Sequence, residues 1–141
     1  MRNKLIYFIF LAFGLSSIIQ SCQTETSINF KRYYVNGKSI YEKKCQNCHG
    51  SDGKGLGTLY PPLTDSTYLK MNKNKLACII RNGQSGTVQI NNISYDGLMP
   101  GNETLADIDI AQVIVYITNS FGNKQGYYDS EIIKKDLEQC K

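Results

Sequence analysis

The 141-residue chain has no tryptophan, one histidine, three prolines and three methionines. Each scarcity removes possibilities. A single imidazole excludes any site built on two histidines, whether zinc or a bis-histidine haem. No apolar run reaches the roughly 20 residues that a membrane-spanning helix requires. Leu5 to Ile19, apolar and uncharged, has 15. No internal repeat or low-complexity block is visible, and no succession of strands suggests a parallel sheet. Among the things present are five cysteines and ten tyrosines.

The short apolar run follows Arg2 and Lys4, the pattern of a secretory signal peptide. Its end, Ile19-Gln20-Ser21-Cys22, resembles a bacterial lipobox. The resemblance implies cleavage after Ser21 and lipidation of Cys22, with Gln20 less usual there than a small residue. The expected organisation is a signal peptide over 1–21, a flexible tether over 22–34, one domain over 35–123, and an extension over 124–141. The expected location is the bacterial cell envelope, lipid-anchored and facing the periplasm or the cell surface.

Charge divides along the chain. Lys31 to Arg81 carries ten basic residues against three acidic ones, and Asn82 to Lys141 four against eight. That asymmetry bears on steering toward partners rather than on fold. No nucleic-acid partner is expected.

Local patterns predict mostly helix. Asn36 to Lys44 reads as a helix capped by Asn36, with Gly37, Ile40, Tyr41 and Lys44 on one face. Ser51 to Leu69 reads as loop, because it holds Gly53, Gly55, Gly57 and Pro61-Pro62. So long a loop in a small domain calls for something to wrap around, and a bound cofactor would supply it. Asn74 to Arg81 reads as a second helix. Val88 to Tyr95 reads as a small hairpin turning at Asn91-Asn92. A last long helix is predicted from Thr104 to about Phe121, opened by a capping box with Asp107. Ser130 to Cys140 reads as a short terminal helix.

Chemistry concentrates in Cys45-Gln46-Asn47-Cys48-His49. A thioredoxin-like dithiol needs its first cysteine at a helix N-terminus inside a βαβ unit, and here the predicted helix comes before Cys45. Structural zinc needs four ligands, and no second cysteine pair stands nearby. Covalent haem attachment needs two thiols three residues apart with an imidazole directly after the second, and this stretch supplies them in that order. His49 then takes one axial position on the iron. Methionine is the soft neutral candidate for the other. Met1 leaves with the signal, so Met71 and Met99 compete. Met99 is preferred, since it lies on an extended, turn-rich stretch stiffened by Pro100.

From about Val35 to Asn123 the chain resembles a class I, single-haem cytochrome c. The matching pieces are the Gly37–Tyr41 helix, CQNCHGSDGKG, YPPL at Tyr60 to Leu63, YDGLMPG, and the closing helix ending YITNSFGN. The resemblance implies an all-α cytochrome c fold: about four short helices around one covalently bound haem c, with the hairpin before the methionine loop. It implies thioether bonds at Cys45 and Cys48 and axial ligation by His49 and Met99. It also implies a crossing of first and last helices at Gly37, Tyr41 and Tyr116. The carbonyl of Pro61 or Pro62 would accept the His49 Nδ1 proton. Two features depart from the minimal pattern. The last helix has Tyr116 and Phe121 but no tryptophan, and the chain runs on past Asn123. Export favours a disulfide between Cys78 and Cys140; the alternative is a buried Cys78 with an exposed Cys140.

The expected function is one-electron transfer by a membrane-tethered carrier rather than an enzyme. It would act between respiratory or other redox partners, as a monomer or a complex subunit. Lys43, Lys44, Lys54, Lys70, Lys73 and Lys75 are candidates for a basic rim that meets an acidic docking surface. The rivals are a haem enzyme or gas sensor with an open sixth position, and a fixed electron-transfer subunit of a larger oxidase, reductase or dehydrogenase.

Overall fold

The computed structural model describes residues 25–140, with Lys4 alone from the segment before them. The expected signal peptide and Cys22 therefore lie outside the described residues. About half of the chain is helical. Among the described residues the helices are α1 (Glu25–Lys44), α2 (Gln46–His49), α3 (Ser66–Met71), α4 (Leu76–Asn82, after a 3₁₀ turn at Lys73–Lys75), α5 (Asp107–Ile117) and α6 (Ser130–Glu138). Among the described residues four very short strands pair in two ribbons. β2 (Val88–Ile90) joins β3 (Ile93–Tyr95), and β1 (Gly83–Gln84) joins β4 (Met99–Pro100), both antiparallel. No described helix is long and apolar enough to cross a membrane.

The scaffold is the packing of α1 on α5. Tyr33, Gly37 and Tyr41, four residues apart, form the buried stripe of α1. Every residue of α5 from Ile110 to Ile117 is buried. Gly37 marks the closest approach. A Cβ there would lie 2.0 Å from the Gln112 carbonyl oxygen and 2.9 Å from Tyr116 Cβ. Around the crossing, Tyr41 meets Tyr116 and Phe121 with ring centroids 5.3 and 5.2 Å apart. Tyr34 continues the cluster, 5.2 Å from Tyr116. Tilted aromatic pairs at these separations are mutually attractive beyond the area they bury.

Several element boundaries differ from expectation. The predicted tether is helical from Glu25, because Phe30, Tyr33 and Tyr34 extend the apolar stripe one further turn back along α1. Asn36 lies in mid-helix and caps nothing. The predicted loop up to Leu69 ends at Asp65, whose carboxylate accepts from the N–H groups of Thr67 and Tyr68 at 3.0 Å and starts α3. The long helix starts at Asp107 rather than Thr104. Asp109 accepts from the Ala106 N–H at 3.1 Å, while Asp107 bonds Arg81 across the fold at 2.5 Å. It also stops at Ile117, short of Phe121. The Thr118 hydroxyl donates to the Ile114 carbonyl at 2.6 Å, and the Asn123 amide donates to Ile117 at 2.9 Å. These bonds consume the last helical carbonyls, which would otherwise need a further turn.

The hairpin turns at Asn91 and Asn92, with φ of 52° and 61°, the left-handed pair that such a two-residue turn requires. After α5 the chain folds back, and Asp129 caps α6 by accepting from Glu131 N–H at 2.8 Å. Cys140 forms a disulfide with Cys78 on α4, with Cα atoms 5.4 Å apart. Both sulfurs sit near the Asp136 carbonyl oxygen, at 3.5 and 3.7 Å. With no S–H proton these are contacts rather than hydrogen bonds.

Candidate functional site

α1 ends directly at the cysteine motif. Cys45 N–H closes its last turn on the Tyr41 carbonyl at 2.9 Å, and the chain then makes the single turn α2 that carries Cys48 and His49. Gln84 of β1, Val88, Ile90 and Tyr95 of the hairpin, and Met99 and Pro100 of β4 line an open cavity together with this turn. Cys45, Cys48, His49, Pro61, Pro62 and Met99 all line it. Leu63, Leu69, Leu76, Ile80, Ile90, Val113 and Ile117 make its walls apolar. Met71 does not line it and is 77% exposed. Of the two candidate methionines, only Met99 stands where the cysteines and His49 are.

His49 is buried, and its Nδ1–H donates to the Pro61 carbonyl at 3.0 Å. That bond selects the tautomer and leaves Nε2 with its lone pair free. Burial pushes the imidazole pKa below its usual value, and the Pro61 bond opposes that in part. The ring is therefore held as the neutral, metal-binding form. Cys45 and Cys48 are free thiols. Burial, followed by the charge of Cys48, pushes the Cys45 pKa up to about 11. Tyr41 donates its hydroxyl to the Gly50 carbonyl at 2.6 Å, and burial raises its pKa, keeping it a donor.

The 50–63 loop is closed on itself. Gly55 N–H bonds the His49 carbonyl at 2.9 Å, and Leu63 N–H bonds Gly53 at 2.7 Å. Gly55 has φ of +69°, and a Cβ would meet the Tyr60 carbonyl oxygen at 2.1 Å, so no other residue fits without moving the Pro61 segment. Asn123 ties this loop to α5, its amide donating to both Leu63 (2.8 Å) and Ile117 (2.9 Å). Both of those residues line the cavity. Sequence reading missed Asn123, since its partner Leu63 lies 60 positions away. Asn123→Ala is expected to lower stability by about 2 kcal/mol, because the buried Ile117 carbonyl and the part-buried Leu63 carbonyl lose their donor. A shift in the urea midpoint measures this, and an unchanged midpoint would show the tie is not needed.

Of the expected basic rim, Lys54 pairs with Asp52 at 3.1 Å and Lys73 lies 4.4 Å above the Tyr128 ring. Lys43, Lys44, Lys70 and Lys75 are exposed.

A helical scaffold that presents Cys-x-x-Cys-His to one side of an apolar cavity, with a methionine loop also lining it, defines a class I c-type cytochrome. The chain belongs to the cytochrome family described as cytochrome c oxidase, cbb3-type, subunit III, whose profile matches residues 34–117. It is 32% identical over 105 residues to the fructose dehydrogenase cytochrome subunit of Gluconobacter japonicus, covering 72% of this chain and 22% of that protein. It is 33% identical over 93 residues to the cytochrome c subunit of the quinone alcohol dehydrogenase of Gluconacetobacter polyoxogenes, covering 64% and 19%. Cytochrome c-552 of Thermus thermophilus is 27% identical over 93 residues, covering 63% and 70%. The chain thus spans about a fifth of the two dehydrogenase subunits.

Proteins of this class carry haem c bound covalently. The residues present suit that group. The cavity is lined almost wholly by apolar side chains, the two thiols are unpaired, and the imidazole Nε2 has no protein partner among the described residues.

Proposed function

We propose that this protein is a single-haem, one-electron carrier in the bacterial cell envelope, tethered by a lipid at Cys22. The observation that carries the reading is the shared cavity. Cys45, Cys48 and His49 line it together with Met99, and His49 is already oriented by Pro61. Haem c, bound here, supplies an iron that cycles between ferric and ferrous.

The protein's own residues do the rest. Cys45 and Cys48 would hold the ring by thioether bonds. His49, kept neutral and aimed by the Pro61 carbonyl, and Met99 would take the axial positions. Two such ligands, held in place by the fold, would keep reorganisation small. Methionine favours the ferrous state and so raises the potential. The apolar walls exclude water and strengthen that preference, since they disfavour the more highly charged ferric state. Exposed Lys43, Lys44, Lys70 and Lys75 are free to meet an acidic redox partner.

A second reading concerns lifetime of association rather than chemistry. Two relatives are cytochrome subunits of dehydrogenases, which favours a carrier fixed in a larger complex. Co-purification in mild detergent separates a stable subunit from a diffusing carrier.

Expression of the full chain with a haem-attachment system tests the central claim. The expected product carries one haem that survives acid–organic extraction and shows a low-spin ferrous spectrum. A chain recovered without covalent haem would end the proposal.

A further inference from the structure

The region after α5 lies beyond the family match, which ends at residue 117, yet it is fastened to the domain at several points. The Tyr127 ring packs edge-on against Tyr33 at 5.1 Å. Tyr128 sits under the Lys73 ammonium and donates its hydroxyl to the Asp136 carboxylate. The Asn119 side chain both donates to the Gly126 carbonyl and accepts from its N–H, each at 2.8 Å. Finally, Cys140 is bonded to Cys78.

Where that disulfide lands matters. α4 has only seven residues, too few to hold helical form by itself. Its inner side, Leu76, Ala77 and Ile80, is buried in the core, and Leu76 and Ile80 also line the cavity. Cys78 carries the covalent link to Cys140, two residues past the end of α6. The other end of α4 runs without a break into β1, and β1 is the strand that pairs with the Met99 segment. Gln84 stands opposite Met99 and Gly83 opposite Pro100. Asn102 N–H bonds the Ile80 carbonyl at 2.9 Å, and Arg81 bonds Asp107. Gly83, at φ +80°, lets the strands close; a Cβ there would lie 2.4 Å from the Met99 carbonyl oxygen. β4 pairs with no other strand among the described residues. The backbone of the Met99 segment is therefore carried by α4, and α4 is clamped from outside by the C-terminal extension.

We propose that Cys78 and Cys140 are positioning residues for Met99: their disulfide fixes α4, and α4 holds the methionine in the haem cavity. This rests on the reading of Met99 as axial ligand. The extension then acts as a ligand clamp, adding to the domain the rigidity that its two-residue ribbon lacks.

The test is an imidazole titration of the ferric holoprotein, followed by the long-wavelength sulfur–iron charge-transfer band. In the wild type the band is expected to resist displacement. In Cys78→Ser/Cys140→Ser, imidazole should displace Met99 at about tenfold lower concentration or less, and the ferrous form should bind CO more readily. A disulfide that only adds global stability would leave the native-state imidazole affinity unchanged, and that result overturns the proposal. A wild type without the band overturns the Met99 reading itself, and this inference with it. Should the double variant fail to take up haem, the same titration is run on wild-type holoprotein treated with a phosphine, its thiols capped and its iron reoxidised. The same tenfold change is expected there, and equal affinities again overturn the clamp.

Discussion

Met99→Ala is expected to turn a closed, low-spin haem into an open one. The sulfur–iron band should vanish, the ferric spectrum should become high-spin, and the ferrous protein should bind one CO where the wild type binds little. The potential should fall by on the order of 100 mV or more, given that axial ligands set haem potentials over about 0.8 V. The direction follows from chemistry: a thioether favours ferrous iron, whereas the water that replaces it does not. Met99 is the methionine placed for this role, being partly buried in the cavity wall on β4. Met71→Ala serves as the control. Met71 is 77% exposed and outside the cavity, so its removal should leave spectrum and potential unchanged. Met99→His adds a third arm. It should restore a low-spin spectrum while the potential stays low, separating coordination number from ligand softness. A Met99→Ala protein with the wild-type spectrum would remove the axial role and favour a different sixth ligand or none.

The parts of this site that sequence reading could reach are those encoded locally. Cys45, Cys48 and His49 fall within five residues, and their order alone limits the chemistry. The Asn91-Asn92 turn is likewise local, since asparagine tolerates the left-handed region that both residues occupy. Boundaries were lost where a polar residue obscured a pattern. Asn36 reads as a cap, but the stripe of Tyr33, Gly37 and Tyr41 passes straight through it, and burial of that stripe outweighs the weak preference of asparagine for helix ends. Thr104 with Asp107 reads as a capping box, but Asp107 is drawn to Arg81, 26 positions earlier. The short α3 is invisible to a search for periodicity, since six residues make fewer than two turns. The β1–β4 ribbon joins segments that touch only after the domain has closed. Choosing Pro61 over Pro62 as the partner of His49 likewise depends on how the 50–63 loop returns, which no local rule specifies.

Gly37→Ala sets two effects of opposite sign against each other at the α1–α5 crossing. In an isolated helix the substitution would stabilise by about 1 kcal/mol. Here the new methyl would sit 2.0 Å from the Gln112 carbonyl oxygen, 2.6 Å from its carbonyl carbon and 2.9 Å from Tyr116 Cβ. Two of those atoms are backbone within a helix whose residues are buried along nearly its whole length, so they cannot swing away. The helices must separate instead, and with them the tilted and edge-on rings of Tyr41, Tyr116 and Phe121. Overpacking of a well-filled core costs about 1–3 kcal/mol, and more where backbone must move. The steric term is therefore expected to win, with a net loss of about 2 kcal/mol or more in the holoprotein. Gly37→Leu should prevent assembly of the domain, because no rotamer can avoid Gln112. The urea midpoint of the purified ferric protein reads the first change, and the yield of covalent haem reads the second. The damage should also reach the site, since α1 delivers Cys45 and Tyr41 anchors Gly50, one residue past His49. A Gly37→Ala protein more stable than wild type would mean that α1 and α5 do not meet at this glycine, and the scaffold that presents the cysteines would have to be redrawn.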